Sequence, residues 1–279
     1  MTDTSTPEKL PAETRVGRSA LRVADLEEMT AFYRDVVGLR VLDRSGTTTA
    51  LGAGETALLV LEADAEADPR TGPGLYHNAV RVPSRGALGD ALGRVRERWD
   101  LEGASDHRVS EALYFTDPEG NGVEVYRDFP RESWPETGDG RAGMATDPLD
   151  LPALEAAAAG EDRVPADTDL GHVHLEVSSL DATRAFYVDA LGFAVRDTYP
   201  GALFVAAGGY HHHVGANVWN ERTGSAEGRG LSWFEVVVPE PGFDDARERL
   251  AEHGYPLAEP DDGIVVTDPD GIEVRLRAE

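Results

Sequence analysis

The chain repeats itself. Arg18 to Leu39 reads R-S-A-L-R-V-A-D-L-E-E-M-T-A-F-Y-R-D-V-V-G-L, and His172 to Phe193 reads H-V-H-L-E-V-S-S-L-D-A-T-R-A-F-Y-V-D-A-L-G-F. Ala31-Phe32-Tyr33 falls on Ala185-Phe186-Tyr187, and Gly38 on Gly192, at one constant offset. Self-similarity of this kind means that one structural unit has been used twice, so each half must fold to equivalent elements. The differences between the copies then become informative. Arg18 stands where the second copy has His172, and His77 stands where the second copy has Trp233.

Each half contains the same pattern twice. A strand over Ser19 to Val23 precedes a helix over Leu26 to Val37, where Met29, Phe32, Tyr33 and Val36 recur at helical spacing and Gly38 closes it. Strands over 41–43, 48–51 and 56–61 follow. The second unit has a strand over 75–82, a helix over 87–99 and strands over 107–109, 112–116 and 122–127. The third has a strand from Gly171, a helix over 182–190 and strands over 204–206 and 212–219. The fourth starts at Leu231, with a helix over 243–253 and a last strand over 272–277. Asp117-Pro118-Glu119-Gly120 and Asp268-Pro269-Asp270-Gly271 are turns, with Pro at the second position and Gly at the fourth. They launch the strands carrying Glu124 and Glu273. The expected fold is α+β, four βαβββ modules forming two cup-shaped mixed sheets. Its divisions are a disordered tail over 1–15, a first module pair over 16–129, a linker with a short helix (151–159) over 130–168, and a second pair over 169–279.

A chain of 279 residues is long enough for two cores. Its 52 acidic residues against 26 Lys and Arg give a formal charge of -26. Such a surface repels phosphate backbones and anionic lipid, so neither nucleic acid nor membrane is expected as a partner. The acidic residues are spread along the chain with few Lys. That composition resembles proteins of a salt-rich, halophilic cytoplasm, where counterions screen self-repulsion. There is no Cys, which removes disulfides, thiolate chemistry and Cys-ligated zinc. Met1 to Pro11 lacks the basic and apolar parts of a signal peptide, and a cytoplasmic location is expected. No dinucleotide, P-loop, Ca-loop or nucleophile-elbow spacing is present, so no organic cofactor is called for.

The four-module pattern resembles the vicinal oxygen chelate superfamily of glyoxalases, bleomycin-resistance proteins and extradiol dioxygenases. Leu75-Tyr76-His77, Ser110-Glu111-Ala112-Leu113-Tyr114, Asp117-Pro118-Glu119-Gly120-Asn121-Gly122 and Gly208-Gly209-Tyr210-His211-His212-His213 resemble the catechol 2,3-dioxygenase-like branch. The resemblance implies that two modules form a cup around a divalent metal. One His comes from the first strand of one module, and a second His and a Glu come from the first and last strands of its partner. Two imidazoles and a carboxylate suit Fe(II), or alternatively Mn(II), and leave one face open.

Pairing the modules in chain order leaves each cup a ligand short, unless His174 or another residue substitutes. Pairing module two with three, and one with four, collects His77, Glu124 and His172 in one cup. It leaves Arg18, Trp233 and Glu273 in a metal-free one. By the same resemblance Tyr114, ten positions before Glu124, and His107 would hold substrate oxygens. His212 would be the acid–base residue, with His211 and His213 as alternatives; strand alternation would put these two on the opposite face from His212. The implied partners are a small aromatic diol and O2, and related folds often pair through outer strands into a homodimer. Other readings are a metal-dependent glyoxalase or isomerase, and a metal-free binding protein of the bleomycin-resistance kind.

Overall fold

In the computed structural model, residues 9–135, 137 and 143–279 are described. Residues 1–8 of the expected tail, and 136 and 138–142 of the expected linker, lie outside them. No helix among the described residues is long and apolar enough to cross a membrane.

The elements follow the repeated strand–helix–strands order. The first module contains β1 (Arg15–Val23), α1 (Leu26–Phe32), β2 (Arg40–Ser45), β3 (Thr48–Ala53) and β4 (Thr56–Ala63). The second contains β5 (Gly74–Arg81), α2 (Arg85–Arg98), β6 (Gly103–Asp106), β7 (Ser110–Thr116) and β8 (Gly122–Asp128). The connection carries a short β9 (Asp147–Pro148) and α3 (Leu151–Glu155). The third module contains β10 (Asp169–Glu176), α4 (Leu180–Arg184), β11 (Ala194–Tyr199), β12 (Ala202–Ala206) and β13 (Val214–Asn217). The fourth contains β14 (Gly230–Val238), α5 (Glu240–Glu252), β15 (Leu257–Ala258), β16 (Ile264–Thr267) and β17 (Glu273–Ala278). Asp25, Ser84 and Ser179 cap α1, α2 and α4 by accepting from free backbone N–H groups.

Two mixed sheets result. One runs β15-β16-β17-β14-β1-β4-β3-β2 and the other β11-β12-β13-β10-β5-β8-β7-β6-β9. Each is joined at its centre by an antiparallel pair from opposite halves of the chain, β1 with β14 and β10 with β5. The helices and one face of each sheet share a continuous apolar core that includes Phe32, Phe115, Phe186 and Phe234. Burying each such side chain contributes about 1.5–3 kcal/mol.

Modules adjacent in sequence touch through their helices and turns. Both α1 and α4 run on into a π-helical turn, Tyr33–Val37 and Ala185–Ala190. These turns aim the repeated tyrosines at the repeated Asp-Pro turns. Tyr33 donates to Asp117 Oδ2 at 3.0 Å, and Tyr187 donates to Asp268 Oδ2 at 3.0 Å. Glu119 accepts from the Ala24 and Asp25 N–H groups at 2.7 and 3.0 Å, while Asp270 accepts from Ser178 N. A turn of the even module thus ties down the strand-to-helix junction of the odd one.

Some boundaries differ from those expected. The strand expected over 212–219 is the shorter β13, because Gly208 (φ 61°) and Gly209 (φ 67°) turn the chain and leave His211 to His213 in a loop. Strand alternation therefore does not apply to these three, and all of them are buried. His107 lies beyond β6 at the head of a hairpin, where Arg108 takes φ 65° and His107 N donates to Ser110 O at 2.8 Å. The helix expected over 151–159 ends as an α-helix at Glu155.

The two tyrosine–carboxylate contacts are not equivalent. Asp117 Oδ2 also accepts from Asn121 Nδ2 at 2.9 Å, whereas the bond from Tyr187 is the side-chain contact holding Asp268 Oδ2. Tyr187→Phe is therefore expected to cost more stability than Tyr33→Phe, about 2 against about 1 kcal/mol. Equilibrium urea unfolding of the two variants checks this; equal midpoints would contradict it.

Candidate metal centre

Three neighbouring strands build the site. β8 lies parallel to β5 with Glu124 beside Ala79, and β10 lies antiparallel to β5 with His172 beside Ala79. His77 is two residues from Ala79 and so projects from the same face. The three polar side chains converge above the Ala79 methyl. His77 Nε2 lies 3.0 Å and His172 Nε2 3.1 Å from Glu124 Oε2. All three residues are buried, and one ligand atom from each lies within 4.8 Å of the others. Val123 and Val125, the neighbours of Glu124, point into the apolar core.

This donor set fits a divalent cation. The approach of His77 Nε2 to Glu124 lacks hydrogen-bond geometry, so His77 Nε2 remains a buried nitrogen without a hydrogen-bond partner. Such groups are costly in a protein interior, and a cation held between the carboxylate and two imidazole lone pairs would compensate. The protonation states suit ligation. Burial lowers His172 to about 4, leaving its imidazole neutral. Burial pushes Glu124 upward, but His172 and His77 outweigh it and hold the carboxyl well below its usual range.

Other expected site residues surround this point. Tyr114 faces Glu124 across the β7–β8 pair, and burial followed by the Glu124 charge raises its hydroxyl well above the ordinary range. His107 Nε2 is 2.7 Å from Tyr114 Oη, and His107 Nδ1 is 2.6 Å from the Ala145 carbonyl. A carbonyl only accepts, so Nδ1 carries a proton. The His212 ring lies 4.0 Å from that of His172, centroid to centroid. His172, His211 and His212 form a second group of ligand atoms within 4.8 Å. His213 instead accepts from Ala207 N at 3.2 Å. His174 is opposite His77 in the strand register but belongs to neither group; its Nε2 is 3.2 Å from Asn217 Nδ2.

Several features here escape the sequence reading. Ala79 and Ala112 floor the cup beside Tyr126, and their small size is what leaves room above them. Gly171 lets Tyr126 in, since a Cβ there would come within 1.8 Å of its hydroxyl. Tyr76 and Trp219 form the rim at 5.6 Å between centroids, 38% and 43% exposed, with both rings also against His174. The Trp219 indole N–H donates to Pro200 O at 3.0 Å, which fixes the ring. Tyr126 and Asp128 could have been found by stepping in twos from Glu124 along β8.

The corresponding region of the other sheet is filled. Trp233 is buried with the Arg275 guanidinium 3.9 Å and the Arg18 guanidinium 5.5 Å from its ring centre. Its indole N–H donates to Glu62 at 3.1 Å. Glu235 lies between Arg18 Nε and Arg277 Nε at 3.4 and 3.3 Å.

The chain matches the model of the Glyoxalase/Bleomycin resistance protein/Dioxygenase superfamily over residues 15–125 and 169–276. It is 40% identical over 269 residues to a catechol-2,3-dioxygenase of Bacillus subtilis (strain 168), covering 92% of this chain and 94% of that one. A crystal structure of a proposed dioxygenase from Bacillus subtilis subsp. subtilis str. 168 superposes with a TM-score of 0.66 at 15% identity, over 95% of this chain and 84% of that one. Glyoxalase I from Zea mays superposes with a TM-score of 0.56 at 16% identity, over 95% and 92%; these two likenesses concern the fold. The protein is a member of this vicinal oxygen chelate superfamily, in its catechol-2,3-dioxygenase-like branch.

Two outcomes follow from the cup. Ala79→Leu fills the space above the floor and is expected to abolish metal uptake while the fold survives, read by metal analysis beside circular dichroism. The second concerns acid. Burial lowers His172 to about 4 and His213 to about 3, and also lowers His174 and His212. In the unfolded chain these imidazoles titrate near 6.5, so the folded state binds fewer protons and loses stability as pH falls from about 6.5 toward 4. Asp117 and Asp268 act in the opposite sense, since burial raises each to about 6. The imidazoles outnumber them, so the urea midpoint of chelator-treated protein should fall between about pH 6.5 and 4.5. A rising midpoint would mean that the imidazoles are charged in the fold.

Proposed function

We propose that this protein is an extradiol dioxygenase, opening the ring of a catechol-like diol with O2 at a metal held by His77, Glu124 and His172. The observation that carries this reading is the convergence of these three buried side chains on one point, in a chain 40% identical to a catechol-2,3-dioxygenase. Fe(II) is the metal we assign, with Mn(II) as the alternative for the same ligands. In this reading the functional consequence of joining module two to module three, and one to four, is a single complete ligand set. The remaining cup, with Trp233 between two arginines, serves the fold.

The bound metal supplies a Lewis acid that lowers the pKa of the diol and a redox centre for O2. The protein's own residues do the rest. Tyr76 and Trp219 admit the aromatic ring edge-on and exclude water behind it. Tyr114 accepts a hydrogen bond from one diol hydroxyl while donating to His107 Nε2. A proton leaving the substrate can therefore pass to His107, whose tautomer the Ala145 carbonyl fixes. His212, against His172 on the other side, is the second acid–base group and completes proton transfer to the ring-opened semialdehyde. A glyoxalase-like reaction would call for a further carboxylate on β13. That strand offers Asn217, already engaged with His174.

The test is anaerobic reconstitution with Fe(II), followed by oxygen uptake and semialdehyde absorbance with catechol and its alkyl derivatives. Tyr114→Phe and His107→Asn are expected to lower kcat by about 10²-fold or more with metal content unchanged. Trp219→Ala should raise KM chiefly for substituted catechols. Protein that holds one metal per chain but consumes no O2 with any catechol would refute the assignment.

A further inference from the structure

Behind His212 a chain of polar groups, buried at His211 and half-buried at Asp128, runs to the end of β8. Asp128 Oδ1 lies 3.1 Å from His211 Nε2, and the other nitrogen of that ring, Nδ1, lies 2.8 Å from His212 Nδ1. The carboxylate is itself fixed, because Asp128 Oδ2 accepts from Tyr210 Oη at 2.9 Å and from Arg81 Nη1 at 3.1 Å. Tyr210 in turn is 2.8 Å from Tyr126 Oη, and Arg81 also pairs with Asp169.

With both rings neutral, the hydrogen bonds along this chain admit one arrangement. Asp128 stays ionised and can only accept: burial pushes it up, but the bond from His211 and the Arg81 charge hold it below its ordinary value. The proton between Asp128 and His211 therefore sits on His211 Nε2. A neutral His211 then has a bare Nδ1. Two imidazole nitrogens 2.8 Å apart share one proton, so His212 Nδ1 must carry it. That leaves Nε2, across the ring of His212, with a free lone pair.

We propose that Asp128 and His211 are positioning residues that lock His212 in its Nδ1–H tautomer, so that Nε2 meets the substrate as a proton acceptor. When a diol hydroxyl gives up its proton, the O–H bond breaks and an Nε2–H bond forms on His212. The positive charge this creates is stabilised through His211 by Asp128. The arrangement repeats, with two imidazoles, the logic by which a buried aspartate orients a catalytic histidine. It rests on the acid–base role given to His212 above. The competing arrangement takes His172, His211 and His212 as metal ligands, since they too lie close enough.

The test has two arms. In full-length protein loaded with diamagnetic Zn(II) and labelled with ¹⁵N-histidine, His212 is expected to show a protonated Nδ1 and a bare Nε2. Asp128→Asn presents an amide donor to His211 and should reverse both tautomers. In Fe(II)-loaded protein the same substitution should lower kcat by about 10²-fold with KM within about threefold and metal content unchanged, and Asp128→Glu should restore part of the rate. A protonated Nε2 on His212 in the unmutated protein overturns the proposal, as does a folded Asp128→Asn variant with unchanged kcat. Loss of metal in His211→Phe in step with activity would make His211 a ligand and likewise overturn it. Should Asp128→Asn fail to fold, the resonances of the unmutated protein decide. Those resonances are read without turnover, so absence of oxygen uptake would count against the dioxygenase reading and not against the tautomer.

Discussion

The antiparallel pairing of β10 with β5 is the contact on which the candidate centre depends. It brings a residue from the second half of the chain, His172, beside His77 and Glu124 from the first. The register matters as much as the pairing. A slip of one residue would turn His172 into the apolar core and Val173 into the cup. Gly171 protects this register, because any side chain there would collide with the Tyr126 hydroxyl on the cup face.

Strand pairing between halves is matched by adhesion within halves. Tyr33 and Asp117, and Tyr187 and Asp268, tie the helix of each odd module to the turn of the following even one. The two sheets are thus cross-braced, and the core between them is continuous. In the sheet without the candidate centre, the ligand positions are taken by Arg18, by Trp233 beneath the Arg18 and Arg275 guanidinium groups, and by Glu273, which pairs with Arg275. Charge there is compensated locally. The chain as a whole, at -26, is not.

Much of this could be read before the structure. The repeat defined four modules, period-two alternation put Glu124 opposite Val123 and Val125, and the missing His at 18 and 233 pointed to 77 and 172. What failed was alternation at His211 to His213, because paired glycines of positive φ take that run out of the sheet. The tautomers of His107 and His212 were also beyond the sequence. The Ala145 carbonyl fixes that of His107, and Asp128 is the group to which we assign that of His212; they lie 38 and 84 residues away along the chain. Ala79 was invisible for a different reason: its contribution is the volume it does not fill.

The segment between the halves looks like a tether, but its ends argue otherwise. Arg81 bonds both Asp128, where β8 ends, and Asp169, where β10 begins. The chain leaves and re-enters the sheet at one side, with a single strand intervening, so a far shorter loop would close the gap. The surplus is where Ala145 sits, its carbonyl on His107. Ala145, in length that connectivity does not require, braces His107, and trimming the segment to a minimal loop would preserve the topology while freeing an imidazole to choose its own proton.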